Sequence, residues 1–171
     1  MAVREIVKIG SPVLRTRARK VNRFGPQLKT LVDDMVETMR AAPGVGLAAP
    51  QVGIAERVIV VEMSEDPEVP GSGRLYAVVN PEIVKASKDE ILGEEGCLSL
   101  PNLVGDVWRA EWVTVKGQDV NGDPGIFSPP NTEPWFKSCK PCAQAIQAQF
   151  KQRRQAKESG TSGSGGAIPE A

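Results

Sequence analysis

The feature that most constrains what this chain can fold into is a change of texture near residue 124. Up to about residue 122, apolar periodicity and turn residues alternate in good order. From Pro124 onward they do not, so a packed core has to be built from the first part. Residues 27–42 set its character. Leu28, Leu31, Val32, Met35 and Met39 recur at three- and four-residue spacing, with Lys29, Asp33, Asp34, Glu37 and Arg40 elsewhere on the wheel. That pattern predicts an amphipathic helix. Pro26 near its start and Pro43 after its end agree with helix start and stop rules.

Strands are expected around this helix. Residues 57–62 form a β-branched run and residues 112–118 alternate between apolar and polar. Two short strands are expected at 76–79 and 82–86, on either side of Asn80-Pro81. A short helix is expected near residues 12–20, and Ile6-Val7-Lys8-Ile9 is strand-like. A loop rich in Ser, Asp, Pro and Gly should span residues 64–73. The sum is an α+β fold of antiparallel strands packed with the helix at 27–42.

The second part reads differently. Asn121-Gly122 is a strong hairpin turn signal, but Pro129, Pro130 and Pro134 follow, and proline cannot donate to a sheet ladder. No returning strand is expected there. Residues 142–158 read as an exposed helix with Ile146 and Phe150 on one face, and 159–166 as a Gly/Ser flexible tail. The expected division is a folded part at 1–124 and a divergent tail at 125–171, partly helical and then disordered.

Charge narrows the partners. Lys and Arg number 21, as do Asp and Glu. The summed field therefore favours no polyanion, and no specific nucleic-acid partner is expected. Lys151, Arg153 and Arg154 read as a solvated helix face. Three cysteines rule out a complete disulfide framework and suit a reducing compartment. No apolar run reaches membrane-span length, and no signal-peptide hydrophobic region opens the chain. The basic residues Arg4, Lys8, Arg15, Arg17, Arg19 and Lys20 resemble a presequence in charge. Glu5 and the strand-like residues 6–9 argue instead for folded structure from the start, and the expected location is cytoplasmic.

Two segments carry chemistry. In Gly44-Val45-Gly46-Leu47-Ala48-Ala49-Pro50-Gln51-Val52-Gly53, small residues allow close backbone approach. Gln51 sets beside them an amide whose N–H can polarise a carbonyl. A phosphate loop is excluded, because the Lys-Ser/Thr ending is absent. In Glu95-Gly96-Cys97-Leu98-Ser99, the cysteine is a metal ligand, a nucleophile or a small buried hydrophobe. The first two roles normally need imidazole partners, and the chain contains no histidine. Cys139-Lys140-Pro141-Cys142 reads as a redox dithiol, half a zinc site or a pair without function.

The two motifs, in this order and at this separation, resemble those of the peptide deformylase family. The helix before the first motif, the strand at 58–61 and the Asn80-Pro81-Glu82 step are similar to it as well, so the likeness spans residues 3–124. The resemblance implies hydrolytic removal of the formyl group from the initiator methionine of nascent polypeptides, with Fe2+, or Zn2+ or Ni2+, as cofactor. It implies Cys97 as thiolate ligand, with Gln51 and the Leu98 backbone N–H as oxyanion donors. Gly44, Val45 and Gly46 would lie along the substrate. The implied partners are formyl-methionyl nascent peptides and, through them, the ribosome. The implied chemistry is attack of a metal-activated hydroxide on the formyl carbon while the two donors hold the developing oxyanion.

The family's third motif is a helical His-Glu-x-x-x-His signature that supplies two ligands and the general acid/base. Nothing in this chain matches it. The expectation is a peptide-deformylase-like fold whose C-terminal metal-binding helix is missing or replaced, and a chain that does not complete the hydrolytic centre. Two alternatives stand beside it: an inactive module that binds formyl-peptides or ribosomes, and a thiolate metal or redox protein using Cys97, Cys139 and Cys142. Because composition changes abruptly, the tail from about Gly125 is expected to arise from a reading-frame shift, a splice variant or a fusion. Nucleotide sequence past codon 124 checks this: an out-of-frame His-Glu signature just downstream is the expected finding, and its absence sinks the idea.

Overall fold

The computed structural model describes residues 2–62, 65 and 73–127. The expected helix at 142–158, the Gly/Ser tail, the basic cluster at 151–154, Cys139 and Cys142 lie outside the described residues, as does most of the expected loop at 64–73.

Helix α1 (Pro26–Ala41) begins on Pro26 and ends beside Pro43, as its sequence predicts. Seven strands follow among the described residues: β1 (Gly46–Ala48), β2 (Val58–Glu62), β3 (Leu75–Ala86), β4 (Glu90–Cys97), β5 (Leu100–Ala110), β6 (Val113–Gln118) and β7 (Pro124–Phe127). Five of them make an antiparallel sheet in the order β1-β2-β3-β6-β7, and β4 and β5 pair with each other in a second, two-stranded sheet. The α+β expectation holds.

Strand β2 organises the core. Successive side chains point to opposite faces of a strand, and here both faces are covered. Val58 and Val60 pack with Leu28, Leu31, Val32, Met35 and Met39 of α1 and with Leu47 and Val79. Ile59 and Val61 join Val78, Val113 and Val115 on the other side. A continuous β-branched run is what a strand buried on both faces requires.

Four expectations need correction. Residues 76–79 and 82–86 form one strand, β3, because a bulge absorbs Pro81. Asn80 takes a left-handed backbone, φ 53°. Its side-chain amide accepts from Val21 N–H and donates to Val21 C=O and Gln118 Oε1, each at 2.9 Å, which holds the chain there. A returning strand does follow Asn121-Gly122: β7 pairs with β6 from Pro124 opposite Gln118 to Phe127 opposite Val115. Pro124 is tolerated because it is the first residue of an edge strand. The short helix near 12–20 shrinks to a 3-10 turn over Pro12–Arg15. Residues 6–9 form no strand, because their backbone donors go to two different segments rather than to one ladder: Val7 N–H to Gln51 C=O at 2.8 Å and Ile9 N–H to Ser99 C=O at 2.9 Å.

The N-terminal segment is instead a strap laid over α1. Ala2 N–H donates to Asp34 Oδ1 at 2.8 Å and Arg4 N–H to Thr38 Oγ1 at 2.8 Å, and the Arg4 guanidinium meets Asp34 Oδ2 at 2.9 Å. The Ala2 N–H, helped by Arg4 and opposed by burial, holds the Asp34 carboxyl below its ordinary range. A folded-state pKa lowered in this way stabilises the fold above the unfolded value, near pH 4, and the gain is lost as pH falls through the folded value. Thermal melts across the acid range should show a downward limb below about pH 4 that is shallower in Asp34→Asn; identical limbs would contradict this assignment.

Candidate functional site

Strand β1 runs into a 3-10 turn, Ala49–Val52, that presents Gln51. Ala48 N–H donates to Gln51 Oε1 at 2.9 Å. That bond fixes which end of the amide faces outward: Nε2 points away, 3.3 Å from Ser99 Oγ and 3.8 Å from Cys97 Sγ. Cys97 is exposed and is the last residue of β4. It pairs with Leu100, so Leu98 and Ser99 form a two-residue turn at the tip of the β4–β5 hairpin. The Leu98 N–H has no hydrogen-bond partner among the described residues.

Gly44 lies against this tip. A Cβ built on it would stand 2.6 Å from Leu98 Cδ1 and 3.4 Å from the Met39 carbonyl oxygen, so the first motif needs glycine here for the second to approach. Val45 C=O accepts from Glu62 N–H at 3.0 Å, and Gly46 pairs with Val61. β1 is the outermost strand of its sheet, and no strand among the described residues pairs with its other edge. The structure thus brings Gly44, Gln51, Cys97 and Leu98 together and sets Val45 and Gly46 along the adjoining sheet edge.

Several contributors carried little sequence signal. Glu95 and Arg109 form a bidentate pair at 2.8 and 2.7 Å across the hairpin, with side chains only 9% and 14% exposed. Their separation of 14 positions has no local signature; only the proximity of Glu95 to Cys97 marked one of them. Lys8 donates from Nζ to Leu98 C=O at 3.1 Å, although it lies 90 positions away in the chain.

A divalent metal does not fit the described donor set. Catalytic zinc sites use three protein ligands. No three His, Cys, Asp or Glu side chains cluster suitably among the described residues, and the chain has no histidine. Cys97 offers one thiol, and the carboxylate two residues before it is committed to Arg109. What the described groups can do is orient and polarise a carbonyl.

A sequence profile of the family described as polypeptide deformylase matches residues 3–128. The chain belongs to this family. A peptide deformylase of Symbiobacterium thermophilum is 55% identical over 122 residues, covering 71% of this chain and 54% of that protein. The chain therefore spans about half the length of that relative. One from Heliobacterium modesticaldum is 50% identical over 123 residues, covering 72% of this chain and 76% of the relative. Among solved structures, peptide deformylase from Thermotoga maritima superposes with a TM-score of 0.72 at 34% identity, covering 89% of this chain and 92% of that one. A Met-Ala-Ser-bound class I type b peptide deformylase from Acinetobacter baumannii gives the same score and identity, covering 89% and 94%. The family resemblance carried by the two motifs and the α+β fold expected from the helix and strand patterns are both borne out.

The Gly44–Leu98 contact yields a direct test. Gly44→Ala should lower the unfolding free energy by about 1–3 kcal/mol, as overpacking does. Leu98→Ala in the same chain should recover part of that loss. Urea denaturation of the two single variants and the double variant reads the coupling; strictly additive effects would mean that the two residues do not press on each other.

Proposed function

We propose that this chain is a deformylase-family domain that binds the formylated methionyl N-terminus of nascent proteins, and that its own residues do not complete the hydrolytic centre. The observation that carries this reading is the Gln51 amide, oriented by Ala48 N–H with its donors facing Cys97 and Ser99 at the foot of the outer β1 edge. An extended peptide can add to such an edge through main-chain hydrogen bonds, with Gly44, Val45 and Gly46 beside it. Its formyl oxygen would then take one N–H from Gln51 and another from Leu98. The bound Met-Ala-Ser of the Acinetobacter baumannii relative supports a methionyl peptide as the ligand class.

Hydrolysis is the part this reading withholds. In the family, the metal supplies the activated hydroxide, and two imidazoles and a glutamate accompany the thiolate. Here Cys97 is the one family ligand that matches. Fe2+, Zn2+ or Ni2+ would need further ligands from elsewhere. A cytoplasmic location and contact with the ribosome belong to the same proposal. No helix of the described residues is long and apolar enough to cross a membrane. The thiolate metal or redox reading rests on Cys139 and Cys142, outside the described residues; loss of bound metal in Cys139→Ser would support it.

The deciding experiment uses formyl-Met-Ala-Ser and Met-Ala-Ser with the full chain, measuring both calorimetric binding and formate release with added ferrous, zinc and nickel ions. The expected result is tighter binding of the formyl peptide with formate release at the level of buffer. Formate release well above that level would make this chain a working deformylase, and equal affinity for the two peptides would sink the recognition reading.

A further inference from the structure

The two site motifs sit on separate sheets. Gln51 follows β1 of the five-stranded sheet, while Cys97, Leu98 and Ser99 are the tip of the isolated β4–β5 hairpin. No strand ladder joins the two sheets among the described residues. At this end of the hairpin, direct hydrogen bonds between the motifs come from the Gln51 side chain itself. That is the group that must turn toward a ligand, so its bonds cannot also fix the spacing of the site.

A third segment does so. Val7 N–H donates to Gln51 C=O at 2.8 Å, Ile9 N–H to Ser99 C=O at 2.9 Å, and Lys8 Nζ to Leu98 C=O at 3.1 Å. Three consecutive residues thus grip one motif on one side and the other motif on the other side. The grip is anchored upstream, where Ala2 and Arg4 are bound to Asp34 and Thr38 of α1. We propose that Val7, Lys8 and Ile9 form a positioning strap that sets the distance and orientation between the Gln51 amide and the Leu98 N–H. In it, Lys8 and Ile9 hold the Leu98 and Ser99 carbonyls, and with them the turn from which the preceding Cys97–Leu98 peptide presents its N–H. The inference rests on the formyl-binding reading for its purpose, but not for its geometry.

Lys8 is a positioning residue: it touches neither a ligand nor a reacting atom, and it acts through Leu98. Its substitution at the surface should leave the fold intact, whereas loss of a charge-assisted hydrogen bond should loosen the turn. The first measurement is direct. In 15N-labelled full-length protein, Lys8→Met should speed exchange of the Ile9 amide, whose N–H is bonded to Ser99 C=O, and shift the Leu98 backbone and Gln51 side-chain amide resonances, with an unchanged thermal midpoint. Lys8→Arg should restore both. Unchanged exchange and unchanged Gln51 resonances in Lys8→Met would overturn the strap whatever the protein binds.

The second measurement is the formyl preference, taken as the ratio of Met-Ala-Ser to formyl-Met-Ala-Ser dissociation constants. It should fall about fivefold in Lys8→Met, the scale of one hydrogen bond. Ile9→Pro, which removes the donor to Ser99, should lower it in the same direction. A purely structural role would weaken both peptides equally and leave the ratio alone, and that outcome overturns the proposal. Absence of any formyl preference in the unmodified chain would instead defeat the proposed function, with the exchange measurement still deciding the strap.

Discussion

Burial of β2 on both faces is the constraint from which the rest of this structure follows. A strand with two apolar faces must be buried on both: α1 covers one, and on the other Ile59 and Val61 cluster with Val78, Val113 and Val115 of the same sheet. Once Val58 and Val60 face Met35 and Met39, β1 can pair with β2 only at the sheet margin, through Gly46, Leu47 and Ala48. The first site motif is therefore forced to an edge. An edge strand is normally an aggregation liability, and short length limits it here: β1 has three residues and turns at once into the segment that bears Gln51. The same packing that makes the core thus leaves an edge without a described partner strand beside the Gln51 amide.

The site on that edge is chemically lopsided. Its donors are well placed and its metal ligands are few. Gln51 is oriented by a backbone bond on one side and faces a thiol and a hydroxyl on the other, while the Leu98 N–H at the hairpin tip has no partner among the described residues. Glu95 could have lent a carboxylate, but a bidentate guanidinium takes both its oxygens, which serves hairpin rigidity rather than coordination. A centre of this kind can select a carbonyl; it has no described means of activating water. Family membership is shown; the absence of hydrolysis by this chain belongs to the proposed reading.

Legibility in the sequence tracked the physical source of each element. Helix α1 was readable because its periodicity and both its prolines are local properties of the chain. Strand β2 was readable because burial on both faces leaves an unbroken β-branched run. The β4–β5 hairpin was not. Its exposed surface carries Leu92 and Trp108 among Glu90, Glu94 and Asp106, and glycines at 93, 96 and 105 weaken any strand pattern. Residues 6–9 misled for the opposite reason: their composition suits a strand, yet their partners are two loops far apart in sequence. The turn at Asn121-Gly122 was legible and its consequence was not, because the prolines after residue 128 obscured a four-residue edge strand that could accommodate Pro124. At the candidate site, the two motifs pointed to Gln51 and Cys97, whereas Arg109 and Lys8 join them only through tertiary contact.

On the proposed reading, ligand selection turns on an exchange of hydrogen bonds rather than on a gain of new ones. Gln51 Nε2 already has Ser99 Oγ as acceptor, so turning it to a formyl oxygen trades one neutral bond for another, with a net change well below that of a bond made from nothing. The Leu98 N–H has no described partner to give up, and a ligand carbonyl there adds a bond. Discrimination between a formylated and a free amino terminus should therefore reside mainly in the Leu98 donor. A free terminus is moreover cationic and places an ammonium where both groups present N–H, a like-with-like contact without an acceptor. The side-chain amide aligns the ligand and the backbone donor discriminates, which is why the orientation of a single peptide plane at the hairpin tip matters more to this site than the exposed thiol beside it.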